Sequence, residues 1–253
     1  MKRILTIALL ALSGLFPLPS TLFPLPSYLL PLHAQTVIDM HTGRVSGKTR
    51  EDYKAKTRED WQLREDSIAY DDCIVRAFNY LHYDSLQVAQ ELFERALKLR
   101  PDAPGNVIVR HNIGRIFIAR RQWKDAVNIL TRVLEEQPRR AEVREDRAAC
   151  FIELGNYASA LKDYDFLLAI NPGDEHYRLV HAIVLGRTGA KRDAIDELDE
   201  LLADNAELAD AYLVRAGLYT DLGNRGFARR DLDAAVRLGI PKEEILDLYE
   251  KLK

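Results

Sequence analysis

The side chains of this 253-residue chain that could do chemistry are few and scattered. His176 and His181 stand five residues apart. Helix positions that share a face are three or four apart, so the two imidazoles do not offer one metal ion a joint site. His111 and His82 are isolated, and Asp163 and Asp165 read as helix-surface positions rather than an acid–base pair. Cys73 and Cys150 would be a tempting disulfide in an oxidising compartment. No nucleophile elbow, zinc-protease helix, phosphate loop or CxxC pair occurs. The expectation is a protein with no catalytic residues, no metal and no cofactor, whose function lies in a surface.

The elements that make the surface are set by repetition. Gly155-Asn156-Tyr157, then Ala160, then Pro172 is matched 34 residues upstream by Arg121-Gln122-Trp123, Ala126 and Pro138, and downstream by Gly189 with Ala194 and Gly223 with Ala228. A fixed period of this length means stacked supersecondary units. The frame runs 70–103, 107–140, 141–174, 175–208 and 209–242, with Pro104-Gly105-Asn106 inserted after the first unit. Position eight is small throughout (Ala77, Gly114, Ala148, Ala182, Ala216), as is position 20 (Ala89, Ala126, Ala160, Ala194, Ala228). Small residues at two fixed points let two helices of a unit approach closely. Larger ones at positions 11, 24 and 27 fill the flanks. Glycine, or Asp84 and Arg121 in the first two units, marks the turn between helices. Pro101, Pro138 and Pro172 stop the second helix, and Asp174 is a natural N-cap for the next. Cys73 and Cys150 then fall two repeats apart, too far for a bridge, and read as buried thiols.

Positions seven and 23 are matched within units: Arg147 with Asp163, Arg215 with Asp231, His181 with Glu197, and the apolar Ile113 with Ile129. Arg76 with Leu92 breaks the rule. These residues should face one another across the two helices, as partly exposed ion pairs of about 0.2–1 kcal/mol each.

The small–large columns and the A…F…P order resemble the tetratricopeptide repeat (TPR) over residues 70–242. The resemblance implies an all-α fold, a right-handed α-solenoid of five TPR helix pairs with a C-terminal capping helix. It also implies that positions 2, 5, 6, 9, 12 and 13 of each first helix line a groove for a peptide or protein segment. Here those positions include Phe78, Leu81, His82, His111, Asn112, Arg115, Ile118, Glu142, Glu145, Ile152, Leu179, Ile183, Arg187 and Leu213, an expected apolar floor with mixed charge. Family members that grip a chain-terminal carboxylate place Lys and Asn at fixed groove positions. Only Asn112 matches, so that mode is not expected.

Flanking segments complete the plan. Met1-Lys2-Arg3 and the apolar run after it have the layout of a secretory signal peptide, 1–34, cut after Ala34. Three near-identical Pro-containing heptads lengthen it, and the prolines argue against the alternative, an uncleaved inner-membrane anchor. Its end resembles that of exported Bacteroidetes proteins. Residues 35–69 repeat Lys-Thr-Arg-Glu-Asp at 48–52 and 56–60, and read as disordered to about residue 50. Residues 57–69 then form either a helix that caps the first repeat or an arm that folds on a partner. Residues 243–253 should seal the last repeat through Ile245, Leu248 and Leu252. The net charge of −3 becomes −5 once Lys2 and Arg3 are removed, and no basic stripe with aromatics points to nucleic acid. The reading is a periplasmic or secreted adaptor with an unidentified protein partner and no small-molecule substrate. The alternative is an accessory subunit of an envelope or polysaccharide-processing enzyme system. Membrane contact is expected only if the leader stays attached.

Overall fold

The structure, a computed structural model, describes residues 58–252. The expected signal peptide and the leader up to residue 57 lie outside the described residues. Two compact units divide what is described, residues 58–109 and 110–252. All regular elements among the described residues are helical: α1 Arg58–His82, α2 Leu86–Leu99, α3 Asn106–Ala119, α4 Trp123–Glu136, α5 Ala141–Glu153, α6 Tyr157–Ile170, α7 Glu175–Thr188, α8 Lys191–Asp204, α9 Ala209–Asp221, α10 Arg225–Arg237, a 3-10 turn Lys242–Ile245 and α11 Leu246–Glu250. Consecutive helices pack as pairs, the all-α repeat architecture that the 34-residue spacing implies.

The repeat columns have the physical roles their residue types dictate. Ala89, Ala126, Ala160, Ala194 and Ala228 are fully buried at the helix crossings. At Gly114 the approach is so close that a Cβ would sit 2.6 Å from Leu130 Cδ2. Position 15 is left-handed in every repeat: φ is 57° at Asp84, 58° at Arg121, 70° at Gly155, 96° at Gly189 and 77° at Gly223. Each of these residues closes a Schellman turn, as where the Asn156 amide donates to the Phe151 carbonyl and that of Gly155 to Ile152. The second helices stop two residues before Pro101, Pro138 and Pro172. Asp174 caps α7, accepting from the Tyr177 amide at 2.9 Å.

Position seven pins the stack. Arg147 holds Asp163 through two bonds of 2.9 and 2.7 Å. Arg215 holds Asp231 at 2.8 Å twice, and His181 Nδ1 lies 2.7 Å from Glu197. These are the expected pairs, but deeper than expected: Asp163 is 2% exposed and Asp231 6%. Each pin also has a second arm, which the sequence reading missed. Arg147 reaches Thr131, His181 reaches Asp165 and Arg215 reaches Asp199, all sixteen residues earlier in the preceding repeat. Burial of the forward arms moves those contacts from the weak surface class toward the strongly coupled buried class, while the backward acceptors Asp165 and Asp199 stay exposed.

The two ends stand differently against the sequence plan. At the C-terminus the seal forms: Ile245 and Leu248 are buried against Leu213, Leu232 and Ile240. Gly239, at φ 101°, reverses the chain after α10 and lets this segment fold back. The N-terminal segment is helical, yet it is no separate cap. It prolongs α1, which starts at Arg58 rather than near residue 70, and Leu63 and Ile68 stay 68% and 63% exposed. The cause is length. At about 1.5 Å per residue, 25-residue α1 outruns 14-residue α2 by roughly 16 Å. The partner helix ends level with Ser67 and Tyr70, where Arg100 bonds the Ser67 hydroxyl at 3.1 Å and stacks on the Tyr70 ring.

Candidate partner-binding site

In the unit 58–109, Phe78 is half-buried with its ring edge-on to Phe93 at 5.3 Å. Leu81 is also half-buried, and His82 is exposed beside Tyr83. Their unit offers a small exposed face rather than a pocket.

In the unit 110–252 the first helices α5, α7 and α9 carry most of the candidate residues, with α3 before them. The structure separates these residues into two sets. Ile118, Ile152, Arg115 and Arg187 are half-buried and Glu142 is exposed, so they keep accessible surface. Leu179, Ile183 and Leu213 do not, and their assignment to a partner-facing floor is corrected. Leu179 and Ile183 pack into a core with Ala211, Val214 and Leu218 of the next repeat's first helix. Leu213 is fully buried beneath the C-terminal seal. Asn112 is likewise buried, at 4% exposure. The reason is that first helices of successive repeats pack on one another, so apolar residues at these positions are used up in the joints. What remains accessible is mixed in polarity rather than an apolar floor.

The polar part of this face is organised by histidines. His111 Nε2 lies 2.8 Å from Asp146 Oδ2, both largely buried. His176 Nε2 lies 3.2 Å from Glu145 Oε1, and the Tyr177 hydroxyl donates to Glu145 Oε2 at 3.4 Å. Burial, then the nearby Glu145 charge, pushes the Tyr177 hydroxyl up to about 12. Asp146 and Tyr177 were not singled out from sequence, and His176 was weighed there only as a metal ligand. The signal lay in the frame, since Asp146 and His176 occupy positions six and two of the same face. Glu153, at the far end of α5, has its pKa raised by burial, with Arg121 opposing.

Both cysteines are enclosed by packing. Cys150 is completely buried, and burial followed by the Asp146 and Glu153 charges pushes its thiol up to about 12. Its neighbourhood is that of an inert packing residue. Cys73, in the other unit, is a buried free thiol. Among the described residues, no three His, Cys, Asp or Glu side chains come together as a metal-binding group. No helix of the described residues is long and apolar enough to cross a membrane.

Comparison with known proteins assigns the architecture in two steps. In class, the paired helices are those of an α-solenoid repeat protein. A repeat protein from Parabacteroides merdae superposes with a TM-score of 0.64, at 24% identity, over 73% of this chain and 71% of that one. YrrB, a TPR protein, gives 0.57 at 18% identity over 66% and 84%. Within the paired helices of this chain, residues 113–185 match the tetratricopeptide repeat family. ETO1-like protein 2 of Arabidopsis thaliana is 25% identical over 174 residues, 69% of this chain but 18% of its own length. Tetratricopeptide repeat protein 16 of Macaca fascicularis is 27% identical over 173 residues, 65% of this chain and 20% of that protein. The chain thus spans about a fifth of the length of these curated relatives. The fold is that of a protein–protein interaction scaffold, of a kind that is generally non-catalytic.

Proposed function

We propose that this chain is a non-catalytic adaptor that holds a segment of a partner protein on the face made by its first helices, in the cell envelope or the secreted space. The observation that carries the reading is the division of that face. Ile118, Ile152, Arg115, Arg187, Glu142 and Glu145 keep accessible surface across successive repeats, while Leu179, Ile183 and Leu213 are closed into the core. A run of separated polar and apolar contacts on a rigid helical array suits an extended or helical segment, which supplies side chains at matching intervals. YrrB, described as a TPR protein with an unusual peptide-binding site, shares this fold. Export rests on the basic start and apolar run of residues 1–34.

The test is crosslinking with mass spectrometry on protein captured from its native envelope. Ile118→Glu and Arg187→Glu should lose partners that Lys124→Glu, on an exposed second helix, retains. Partners retained by all three variants would overturn the assignment of the binding face. The captured protein should begin at Gln35, and an intact Met1 would overturn cleavage.

A further inference from the structure

Within residues 110–252, four elements place a polar side chain at position seven: Arg147 in α5, His181 in α7, Arg215 in α9 and Tyr249 in α11. Two are permanent cations, and one can gain or lose its charge near neutral pH. His181 sets Nδ1 2.7 Å from Glu197 Oε2 and Nε2 3.1 Å from Asp165 Oδ1. A neutral imidazole has one N–H, so one of the two carboxylates would then meet a lone pair. The charged ring donates to both. His176, on the same helix, reaches back to Glu145 of α5 at 3.2 Å. Imidazoles therefore carry two of the polar links from α7 to the third repeat, to its first helix at Glu145 and its second at Asp165. Tyr177 adds a third through its hydroxyl.

We propose that the joint between the third and fourth repeats is a pH-responsive seam, firm when His176 and His181 are protonated and slack when they are neutral. The neighbouring joint lacks this property because Arg215 spans Asp199 and Asp231 with a fixed charge. The groups facing the rings are the Glu145 carboxylate from α5, Asp165 from α6, Glu197 from α8 and Asp174 at the N-cap of α7 itself. α9, which also touches α7, supplies none of the charges acting on them. The hydrogen bond to Glu145 raises the His176 pKa above 6.5, against burial and with help from the Glu145 and Asp174 charges. For His181 burial pulls down, but bonding and charge from Glu197 and Asp165 outweigh it and the net direction is also upward. A raised folded pKa gives stabilisation that is complete below the unfolded value near 6.5 and fades as pH climbs through the folded one. The seam is thus firm in mild acid and weakens as pH rises through the raised folded values. This holds whatever the candidate face binds, although Glu145 belongs to both.

The experiment uses the full chain. Imidazole resonances of His176 and His181 are titrated by NMR, and thermal midpoints are compared at about pH 6 and about pH 8 for the wild type and His181→Arg. Both rings should titrate above 6.5, the unperturbed value. The variant, given the fixed pin of its neighbours, should lose less on going to the higher pH, by about 2–4 °C. Wild-type titrations at or below 6.5, or identical pH dependence in the two proteins, would overturn the proposal. If His181→Arg fails to fold, the wild-type titration decides alone.

Discussion

The first and third repeats solve the same packing problem differently. In the third, Arg147 and Arg144 converge on Asp163, which is 2% exposed, and Arg144 also covers the Phe166 ring at 3.7 Å. In the first, position 23 is Leu92 in place of an acid, and Arg76 at position seven points outward to Asp72, 3.4 Å away, with both side chains more than half exposed. The second arm explains the contrast. A pin joins its own repeat to the acceptor sixteen residues earlier in the preceding one, and sixteen residues before Arg76 lies Asp60, inside the same helix α1. Arg76 thus finds no acceptor on another helix at that spacing, and the first repeat closes its own interface with leucine and the Phe78–Phe93 contact. The third, fourth and fifth repeats thus use polar pins both within a repeat and back to the preceding one, whereas the first closes its pair with apolar contacts.

The largest expected effect breaks that contrast. Asp163→Ala removes the shared acceptor and leaves two arginines half-buried without it, which should cost about 3–5 kcal/mol. Arg76→Ala removes an exposed contact within one helix and should cost about 0.5 kcal/mol or less. Chemical denaturation of the two variants measures the difference. Equal losses would mean that the pins are incidental to the stack.

The sequence made the forward half of this network readable and hid the backward half. The period, the alanine columns and the position-seven pairs with Asp163, Glu197 and Asp231 all follow from residue types at fixed spacing. The backward arms use the same spacing of sixteen to Thr131, Asp165 and Asp199, yet a threonine among acids disguises the column. The candidate face was less legible. Leu179, Ile183 and Leu213 occupy positions that face outward from an isolated repeat, and only the neighbouring helix or the C-terminal seal decides that they are covered. Helix periodicity states which side a residue is on, but not whether another helix lies there. The N-terminal segment was legible in part for a related reason. Its composition favours helix, but its spacing could not show that α2 stops short of it.

A smaller effect sharpens the comparison at the C-terminus. Counting on from the fifth repeat, Tyr249 falls at position seven of a sixth, and its hydroxyl donates to Asp233, sixteen residues earlier, at 2.6 Å. The seal therefore keeps the register of a first helix, and it uses a phenol where inner repeats use a cation. Burial, then the bond and charge of Asp233, pushes this hydroxyl up to about 12. Tyr249→Phe keeps the ring and loses the exposed bond, so stability should fall by about 0.5–1.5 kcal/mol. Thermal unfolding checks this, and an unchanged midpoint would make Ile245 and Leu248 sufficient for the seal.

The smallest expected effect concerns the turns, where early and later repeats differ again. Position 15 is glycine in the third, fourth and fifth repeats, but Asp84 and Arg121 adopt the same left-handed backbone with side chains attached. That conformation costs an ordinary L-residue roughly 1–2 kcal/mol, less for aspartate, and glycine returns part of the gain through its freer unfolded chain. Arg121→Gly should therefore stabilise by about 0.5–1 kcal/mol, and Asp84→Gly by less. Arg121 has one compensating role: its charge favours ionised Glu153, whose pKa burial raises. That role exists only while Glu153 is charged. The gain from Arg121→Gly should then be larger at about pH 4 than at about pH 7, since the carboxylate is largely protonated in acid. Arg121→Lys keeps both the charge and the strained backbone, and should leave the melting temperature where it was. A stabilised Lys variant would show that the guanidinium, rather than the left-handed turn, is the source of strain.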